Sequence, residues 1–331
     1  MAEISDGQLR WGILGTASIS VEIIKAIQSS GCCKIGAIAS RDLLKAKEWA
    51  KRHGIPLSFG SYDDLLRSGE VDLIYNPLPN SLHAEWTIKA LETGHSVLCE
   101  KPLAANVQEA LAIAEAAAKT GLHVAEAFMY RFHPQWTKVF DLLQRGVIGN
   151  ITSLHSQFTF MLDDRSENPA SKELAGGALM DVGCYCVNSS RLIAGCEPTW
   201  VSALERRTSV DDLMVCLLEF PNGILAHFET SIANYERHRV EIAGIEGSIL
   251  LNKPWIPADE PANIMIYRQN SEPRKLIIPS ANSYRLEIEE FVDVCNRKIQ
   301  PRWPISDAVA NMVVIDALYA SARERRVIKL E

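Results

Sequence analysis

The chain lacks the features that mark several large classes of protein. Its 331 residues contain no uninterrupted apolar run near the roughly 18 residues of a membrane span, and the polar segment Met1 to Gln8 has no signal-peptide core. Basic residues are too few for a nucleic-acid binder, because 34 of them stand against 41 acidic residues and leave a net charge of -7. We therefore expect a cytoplasmic protein with neither a membrane nor a nucleic-acid partner.

The cysteine spacing excludes a disulfide scaffold and a zinc site. Of the eight cysteines, Cys32 and Cys33 are adjacent, and Cys184 and Cys186 are one residue apart in an apolar segment. Neither spacing is typical of a secreted framework or of metal ligands. This pattern is that of a reduced, intracellular protein, and we expect no metal.

Length and periodicity predict two domains, residues 1–127 and 128–331. In the first, apolar strand-like runs alternate with helical spacing. Strands are predicted at residues 9–14, 34–39, 71–75, 96–99 and 123–127. Such alternation predicts an α/β fold, a Rossmann-type doubly wound parallel sheet with right-handed crossovers.

The second domain shows a different pattern. Strands are predicted at residues 151–161, 199–206, 213–220, 224–231, 239–245, 247–251 and 264–268. The turn Pro221-Asn222-Gly223 joins two of them as a hairpin. Because most of these strands follow one another directly, with helices mainly before and after them, we expect an α+β domain with a large, mostly antiparallel open sheet.

A candidate cofactor segment follows the first strand. The small residues Gly15, Ala17 and Ser20 stand at the spacing of a dinucleotide-binding turn, with Thr16, Ser18 and Ile19 between them. Small side chains allow close approach of a pyrophosphate, and the following helix offers its amino end. The alternative is an ordinary tight turn.

The end of the second strand favours NADP(H) over NAD(H). Ser40 can donate to a 2′-phosphate, and Arg41 can stack on adenine and neutralise that phosphate. Asp42 leaves two interpretations open. It is either the acid that accepts from the ribose of NAD or, more simply, the cap of the next helix.

Two segments carry candidate catalytic residues. Glu100-Lys101-Pro102 follows the fourth predicted strand, so Lys101 stands at the ligand-binding end of a parallel sheet. After Gly176-Gly177, a helical pattern runs to Gly195 and places Asp181, Tyr185 and Asn188 on one face. A solvated helix face is the alternative, but the apolar neighbours of Tyr185 favour its burial.

Five motifs in order give the chain a resemblance that runs from Leu9 to the start of the last helix. They are Gly15-x-Ala17, Asn80-Ser81-x-His83, Glu100-Lys101-Pro102, Tyr130-Arg131-Phe132-His133-Pro134 and the Gly-Gly-Ala segment that leads to Asp181 and Tyr185. Together they resemble the glucose–fructose oxidoreductase / inositol dehydrogenase (Gfo/Idh/MocA) family. Many members have a histidine in place of Tyr185, and the tyrosine form resembles the branch with glucose–fructose oxidoreductase, NADP-dependent D-xylose dehydrogenase and dimeric dihydrodiol dehydrogenase.

The resemblance implies roles for individual residues. Lys101 and Tyr185 would be the proton-transfer pair, with Asp181 in support, and the open sheet would form a homodimer or a dimer of dimers. A phenol has an ordinary pKa of about 10, so it needs a neighbouring ammonium to act as a base near neutrality. The expected cofactor contacts are Gly15, Thr16, Ala17, Ser18, Ile19, Ser40, Arg41, Pro77, Leu78, Asn80, His83, Glu100, Lys101 and Arg131.

Some candidates have equally plausible structural roles. His83 stands at a helix start, where a histidine without function is about as frequent, and His133 before Pro134 is more often structural. Arg165 and Asn168, in the polar loop before the glycine pair, are candidate contacts to substrate hydroxyls.

The leading functional interpretation is an NADP(H)-dependent oxidoreductase that acts on a sugar, a cyclic polyol or a dihydrodiol. One alternative is an internal-redox enzyme with a tightly bound cofactor, which catalyses net hydrolysis, elimination or sugar–sugar exchange. The other is a noncatalytic, cofactor-sensing regulator, and the intact Lys101 and Tyr185 count against it.

Overall fold

The computed structural model describes residues 8–163, 168–257, 260–297 and 300–330, with only the backbone of Asn168 and Arg297. The chain divides into two compact units. The first consists of the chain up to Phe128 together with Tyr284–Val309, and the second of Met129–Ser283 together with the chain from Ala310 onwards.

The first unit is a parallel α/β fold. Its N-terminal elements are β1 (Leu9–Leu14), α1 (Ser20–Ser30), β2 (Cys33–Ala39), α2 (Leu43–His53), β3 (Leu57–Phe59), α3 (Tyr62–Leu66), β4 (Leu73–Asn76), α4 (Asn80–Glu92), β5 (Ser96–Glu100), α5 (Val107–Thr120) and β6 (Val124–Ala127). The strand order is β3-β2-β1-β4-β5-β6, and every pair is parallel. The predicted doubly wound sheet is confirmed, although β3 and α3 are additional elements.

The second unit contains a nine-stranded sheet. Its elements up to residue 283 are a 3₁₀ turn (Met129–Phe132), α6 (Pro134–Gln144), β7 (Ile151–Met161), a 3₁₀ turn (Asn168–Ala170), a π-helix (Leu179–Gly183), α7 (Cys184–Ala194), β8 (Trp200–Arg207), β9 (Asp211–Glu219), β10 (Leu225–Ser231), β11 (Ala233–Gly244), β12 (Gly247–Leu251), β13 (Ala262–Arg268) and β14 (Arg274–Ile278). The remaining elements of the chain are α8 (Ser283–Arg297), α9 (Ile305–Glu324) and β15 (Ile328–Lys329).

The large sheet is mixed and mostly antiparallel, as predicted. Its order is β14-β13-β12-β11-β7-β10-β9-β8-β15, and β7 and β10 form a parallel pair. Alternation gives it one buried and one outer face: on β9, Met214, Cys216 and Leu218 are buried, whereas Val215 and Leu217 are exposed. The predicted hairpin at Pro221-Asn222-Gly223 joins β9 to β10.

Helix α8 packs in the core of the first unit. Its Ile288, Phe291 and Val292 belong to the same buried cluster as Trp11 of β1, and the rings of Trp11 and Phe291 lie 5.6 Å apart. These three residues of α8 form its apolar face, and an apolar helix face is stable when a core covers it. Residues 284–309 therefore group with the first unit. A division into residues 1–127 and 128–331 assigns that segment to the second domain instead.

By length and composition alone, α9 could cross a membrane, with a window of mean hydropathy 1.3. Half of that window is buried inside the protein. The Ser321 hydroxyl within it accepts a hydrogen bond from the Ala203 amide of β8 at 3.0 Å. These are the surroundings of a core helix in a globular unit.

Candidate active site

The turn after β1 is shaped for close approach of a ligand. Gly15 has a φ of +89°, a conformation that favours glycine, and a Cβ there would lie 3.0 Å from Cδ2 of Leu78. Ile19 gives α1 no side-chain cap. The Ser20 hydroxyl is fully buried and has no hydrogen-bond partner among the described residues. The uncapped start of α1 offers free backbone amides, and it lies beside the glycine turn and the Ser20 hydroxyl. This arrangement fits the binding of a dinucleotide pyrophosphate.

The end of β2 places Arg41 beside an aromatic hydroxyl. Arg41 is exposed, and its guanidinium lies near Tyr62, a residue that sequence reasoning missed together with α3. Burial raises the pKa of Tyr62, and the nearby guanidinium opposes that shift. The Tyr62 hydroxyl would lie 3.7 Å from a Cβ at Gly15, so Gly15, Arg41 and Tyr62 converge at one end of the sheet.

Asp42 caps α2. Its carboxylate accepts from the amides of Leu44 at 2.8 Å and Lys45 at 3.3 Å, and its own amide donates to Oγ of Ser40 at 3.2 Å. The capping interpretation of Asp42 is confirmed. Ser40 is itself buried at the end of β2, beside the cap.

The loop after β4 is held by buried side chains. Asn76, a second missed residue, accepts from the Leu78 amide at 3.3 Å and donates to the Thr87 hydroxyl at 3.1 Å. The ring nitrogens of His83 lie 2.6 Å from the Leu78 carbonyl oxygen and 2.8 Å from that of Pro102. Burial lowers the pKa of His83 to about 4, so the ring is neutral and donates to one carbonyl at a time.

The predicted contact residues in this loop differ in exposure. Pro77 and Leu78 are buried, whereas Asn80 is half-buried at the start of α4. The described partners of the His83 ring are backbone carbonyls, so His83 connects the loop after β4 with the segment after β5. Contact of these four residues with a cofactor stays a prediction.

Hydrogen bonds fix the backbone on both sides of Lys101, a half-buried residue directly after β5. Before it, the Glu100 carboxylate accepts from the Tyr75 hydroxyl at 2.6 Å and from the Lys101 backbone amide at 3.3 Å. After it, the Leu103 amide donates to Glu126 at 2.8 Å, and the Pro102 carbonyl lies against His83. The main chain that carries the Lys101 ammonium is therefore held at the carboxyl end of the parallel sheet.

Tyr185, in the second unit, lies among aromatic rings. It is 5% exposed, and its ring centroid lies 5.3 Å from Phe158, 5.9 Å from Tyr130 and 6.1 Å from Trp255. Its hydroxyl lies 3.7 Å from Sδ of Met129. The predicted burial is confirmed, and a solvated helix face is wrong. Trp255, stacked on Phe158 at 4.8 Å, stands in an irregular segment where no periodicity indicated it.

Asp181 lies in a π-helix, not in an α-helix. The segment Leu179–Gly183 precedes α7, and Asp181 is partly exposed within it. α-Helical winding would place Asp181 and Tyr185 on one face, but the wider i→i+5 turn does not have that winding. The predicted helical pattern up to Gly195 is otherwise confirmed, and π turns occur frequently at functional sites.

Asn188 connects α7 to the 3₁₀ turn after β6. Its Oδ1 accepts from the Tyr130 hydroxyl at 2.5 Å and from Nε of Arg131 at 2.9 Å. Arg131 is only 6% exposed, and its role toward a cofactor stays a prediction. His133 caps α6, where Nδ1 accepts from the Gln135 amide at 3.1 Å, and this is the structural role expected for it.

Two predicted substrate contacts cannot be placed. Arg165 lies outside the described residues, and so does the side chain of Asn168, whose backbone begins a 3₁₀ turn. Within the described ranges, no group of three or more His, Cys, Asp or Glu side chains could hold a metal ion.

Comparison with known proteins identifies the family. Residues 9–128 match the oxidoreductase family with an NAD-binding Rossmann fold, and residues 136–250 match the GFO/IDH/MocA C-terminal domain. The chain belongs to the Gfo/Idh/MocA family. It is therefore an oxidoreductase with a dinucleotide-binding Rossmann domain, in agreement with the glycine turn and the strand order described above.

Relatives within the Gfo/Idh/MocA family are named dehydrogenases and reductases. The chain is 36% identical to a D-xylose 1-dehydrogenase (NADP(+)) of Haloferax volcanii, over 98% of this chain and 100% of the relative. It is 32% identical to a trans-1,2-dihydrobenzene-1,2-diol dehydrogenase of Xenopus tropicalis, over 82% and 81%.

A solved structure also matches the whole fold. It is a 3-ketoreductase of Actinomadura kijaniata in complex with NADP and TDP-benzene, with a TM-score of 0.91 and 29% identity over 95% of this chain and 98% of that one. The same reductase has been crystallised with one tyrosine replaced by phenylalanine and, separately, with one lysine replaced by alanine.

Proposed function

We propose that this oxidoreductase uses NADP(H) to transfer a hydride between the nicotinamide and a secondary alcohol or carbonyl of a sugar, a cyclic polyol or a dihydrodiol. The observation that carries the proposal is Lys101 at the carboxyl end of β5, with the backbone fixed on both sides. Parallel α/β sheets bind ligands at this end of their strands. A rigid main chain there holds a cation where charge develops on a reacting oxygen.

The residues after β2 support NADP(H) over NAD(H). An NAD enzyme usually has a free carboxylate there for the ribose 2′-hydroxyl, but the carboxylate of Asp42 is used by the amides of α2. Arg41 is exposed beside Tyr62 and brings a cation that a 2′-phosphate can meet. Two relatives, the xylose dehydrogenase and the ketoreductase, are named with NADP.

The expected nucleotide contacts are proposed as one site. The turn at Gly15, Thr16, Ala17, Ser18 and Ile19 would hold the pyrophosphate, and Pro77, Leu78, Asn80, His83, Glu100 and Arg131 would contact the rest of the cofactor. The nicotinamide supplies or accepts the hydride. The protein supplies the position of the reactants and the charges around them.

Lys101 and Tyr185 are the proposed proton-transfer pair. In the reducing direction Tyr185 donates its hydroxyl proton to the carbonyl oxygen, and the Lys101 ammonium polarises that carbonyl. In the oxidising direction the phenolate takes the alcohol proton, and the ammonium stabilises the phenolate. Asp181 supports Tyr185 from the preceding turn. The aromatic rings around Tyr185 keep water away from the phenol.

We further propose a cytoplasmic homodimer, or a dimer of dimers, formed through the outer face of the nine-stranded sheet. Leu204, Val215, Leu217 and Leu225 stand on adjacent strands and are between 49% and 70% exposed. An apolar patch of this kind on a soluble protein marks an interaction surface. A second copy offers the same patch about a two-fold axis.

A substrate panel tests the function. The purified protein would be mixed with aldoses, inositols, ketosugars and dihydrodiols, each with NADP or NAD, and absorbance of the reduced nicotinamide would be followed. We expect turnover of a sugar, polyol or diol with NADP. Release of bound nicotinamide on denaturation, without any net change in added free cofactor, would instead identify an internal-redox enzyme.

A further inference from the structure

The carboxylate of Asp211, at the start of β9, contacts the helical segment that carries Asp181 and Tyr185. It is 1% exposed. Its Oδ2 accepts from the backbone amide of Leu179 at 2.8 Å. Leu179 is the first residue of the π-helix, so the carboxylate is bound to the beginning of that segment.

The segment has no side-chain cap of its own. Ala178, at the cap position, supplies no hydrogen bond, and the first amides of a helix need acceptors when they are buried. Asp211 supplies one from a strand, and its negative charge suits the positive end of the helix dipole. On the neighbouring strand β10, the Thr230 hydroxyl donates to the Ala178 carbonyl at 3.0 Å. Two adjacent strands therefore hold residues 178 and 179.

The other carboxylate oxygen is also bound. The Tyr319 hydroxyl of α9 donates to Oδ1 of Asp211 at 2.9 Å. Gly177, with a φ of +130°, passes so close that a Cβ there would lie 2.1 Å from that oxygen and 3.0 Å from the Tyr319 hydroxyl. The glycine before the π-helix is thus required by the approach of the main chain to this carboxylate.

We propose that Asp211 is a positioning residue, oriented by Tyr319. It sets the position of the π turn along the helix axis and its rotation about that axis, and thereby the placement of Asp181 and Tyr185. This inference rests on the proposed function, since it assigns Asp211 a task in that same site. Asp211 itself touches Leu179 and Tyr319, and it acts on the reaction through the helical segment.

The charge of Asp211 gives the proposal a pH signature. Burial raises the pKa of Asp211 to about 6, and hydrogen bonds from Leu179 and Tyr319 and the attraction of Arg207 oppose that shift. Around neutral pH the group is ionised, and below about 6 it becomes a neutral acid with a weaker hold on the Leu179 amide. Turnover then acquires an acidic limb near pH 6 that Asp211→Asn lacks.

Kinetics of three variants provide the main test. Asp211→Ala removes both hydrogen bonds, and we expect kcat to fall roughly 10- to 100-fold, the scale of an ångström-level misplacement. The KM for the cofactor should stay within about twofold. Asp211→Asn can accept from the Leu179 amide through Oδ1 and donate from Nδ2 to the Tyr319 hydroxyl, but it lacks the charge, so its kcat at pH 8 should lie above that of Asp211→Ala and match the low-pH level of the wild type. Tyr319→Phe should fall between them. The matched control is Asp212→Asn, the next buried carboxylate, which accepts from Arg206 at 2.6 Å instead.

A double variant separates positioning from general destabilisation. In the Tyr185→Phe background, Asp211→Ala should add less than about threefold, because residues that act as one unit are not additive. Full additivity, equal loss in Asp212→Asn, or a change confined to the cofactor KM would overturn the proposal. If Asp211→Ala does not fold, Tyr319→Phe and the pH profile of Asp211→Asn decide the question.

Hydrogen exchange gives a readout that does not depend on the reaction. Peptides covering residues 176–190 should exchange faster in Asp211→Ala and Tyr319→Phe than in the wild type, and at the wild-type rate in Asp212→Asn. Unchanged exchange would refute the anchoring itself. Faster exchange together with full activity of Tyr185→Phe would show that the anchor exists and that the proposed function fails.

Discussion

The Nδ1 atom of His83 lies 2.8 Å from the carbonyl oxygen of Pro102, the residue that follows Lys101. The other ring nitrogen lies 2.6 Å from the Leu78 carbonyl. One fully buried imidazole thus joins the loop after β4 to the segment that carries the proposed catalytic lysine. Stability of this part of the first unit depends on the protonation state of His83.

The pH dependence of stability follows from the buried imidazole. Burial lowers the pKa of His83 from 6.5 to about 4, so the folded protein keeps the ring neutral while the unfolded chain binds a proton below pH 6.5. The free energy of unfolding should therefore fall between pH 6.5 and 4, by up to about 3 kcal/mol from this group.

The variant His83→Gln tests this dependence. It should be less stable than the wild type at pH 7 but should lose less stability on acidification. Urea unfolding at a series of pH values measures both slopes, with His53→Gln on α2 as the control. An acid dependence in His83→Gln as steep as that of the wild type would contradict the assignment.

Cofactor preference depends on Arg41. A charge-assisted contact to a phosphate is typically worth about 1.5–3 kcal/mol, so Arg41→Ala should raise the dissociation constant for NADP by roughly one to two orders of magnitude. Binding of NAD should change little. Arg52→Ala, which removes another exposed arginine, on α2, should leave both constants unaltered. Calorimetry that found equal affinity for the two cofactors in the wild type would reject the preference.

The spacing of apolar residues predicted most helices and strands of the fold, because each element buries the face on which its apolar residues recur. Strands β1, β7 and β12 begin and end where the apolar pattern predicted. The three-residue edge strand β3 was missed, since its exposed Leu57 gives no alternation to detect. The return of α8 to the first unit was also missed, because an apolar face does not specify which core will cover it.

The site shows the same division between local and distant determinants. Lys101 and the glycine turn could be placed from their neighbours in the chain, and Asp42 could be recognised as a cap because its partners follow it directly. Asp211 could not, since it meets Leu179 from 32 positions away. Residues 178 and 179, at the start of the π turn that holds Asp181, are bound by Asp211 and Thr230 of the sheet, which lie too far along the chain for residue spacing to indicate.

Self-association should depend on the outer face of the large sheet. Leu217 is 57% exposed on β9, so an aspartate there is tolerated by the folded monomer but carries a charge into any apolar contact between two copies. Leu217→Asp should therefore shift the protein to a monomer in light scattering. Leu111→Asp, on α5 of the first unit, introduces the same change at a leucine of 53% exposure and should leave the oligomer intact. Dissociation by both variants, or by neither, would exclude this face.

Chemistry should depend on Tyr185 and Lys101 together. Tyr185→Phe keeps the ring among Phe158 and Trp255 and removes only the hydroxyl group with its exchangeable proton, so folding and NADP binding should survive. Turnover should fall by roughly 10²–10⁴, the usual worth of a positioned acid or base. Lys101→Ala should be similarly damaging, and the double variant should lose much less than the product of the two effects. Lys101→Arg should not restore turnover, because a planar guanidinium cannot replace a compact ammonium beside a phenol.

The decisive measurement uses a deuterated reductant to show that hydride transfer limits the rate. If hydride transfer limits the rate and Tyr185→Phe still keeps more than about a tenth of wild-type turnover, another residue must donate the proton.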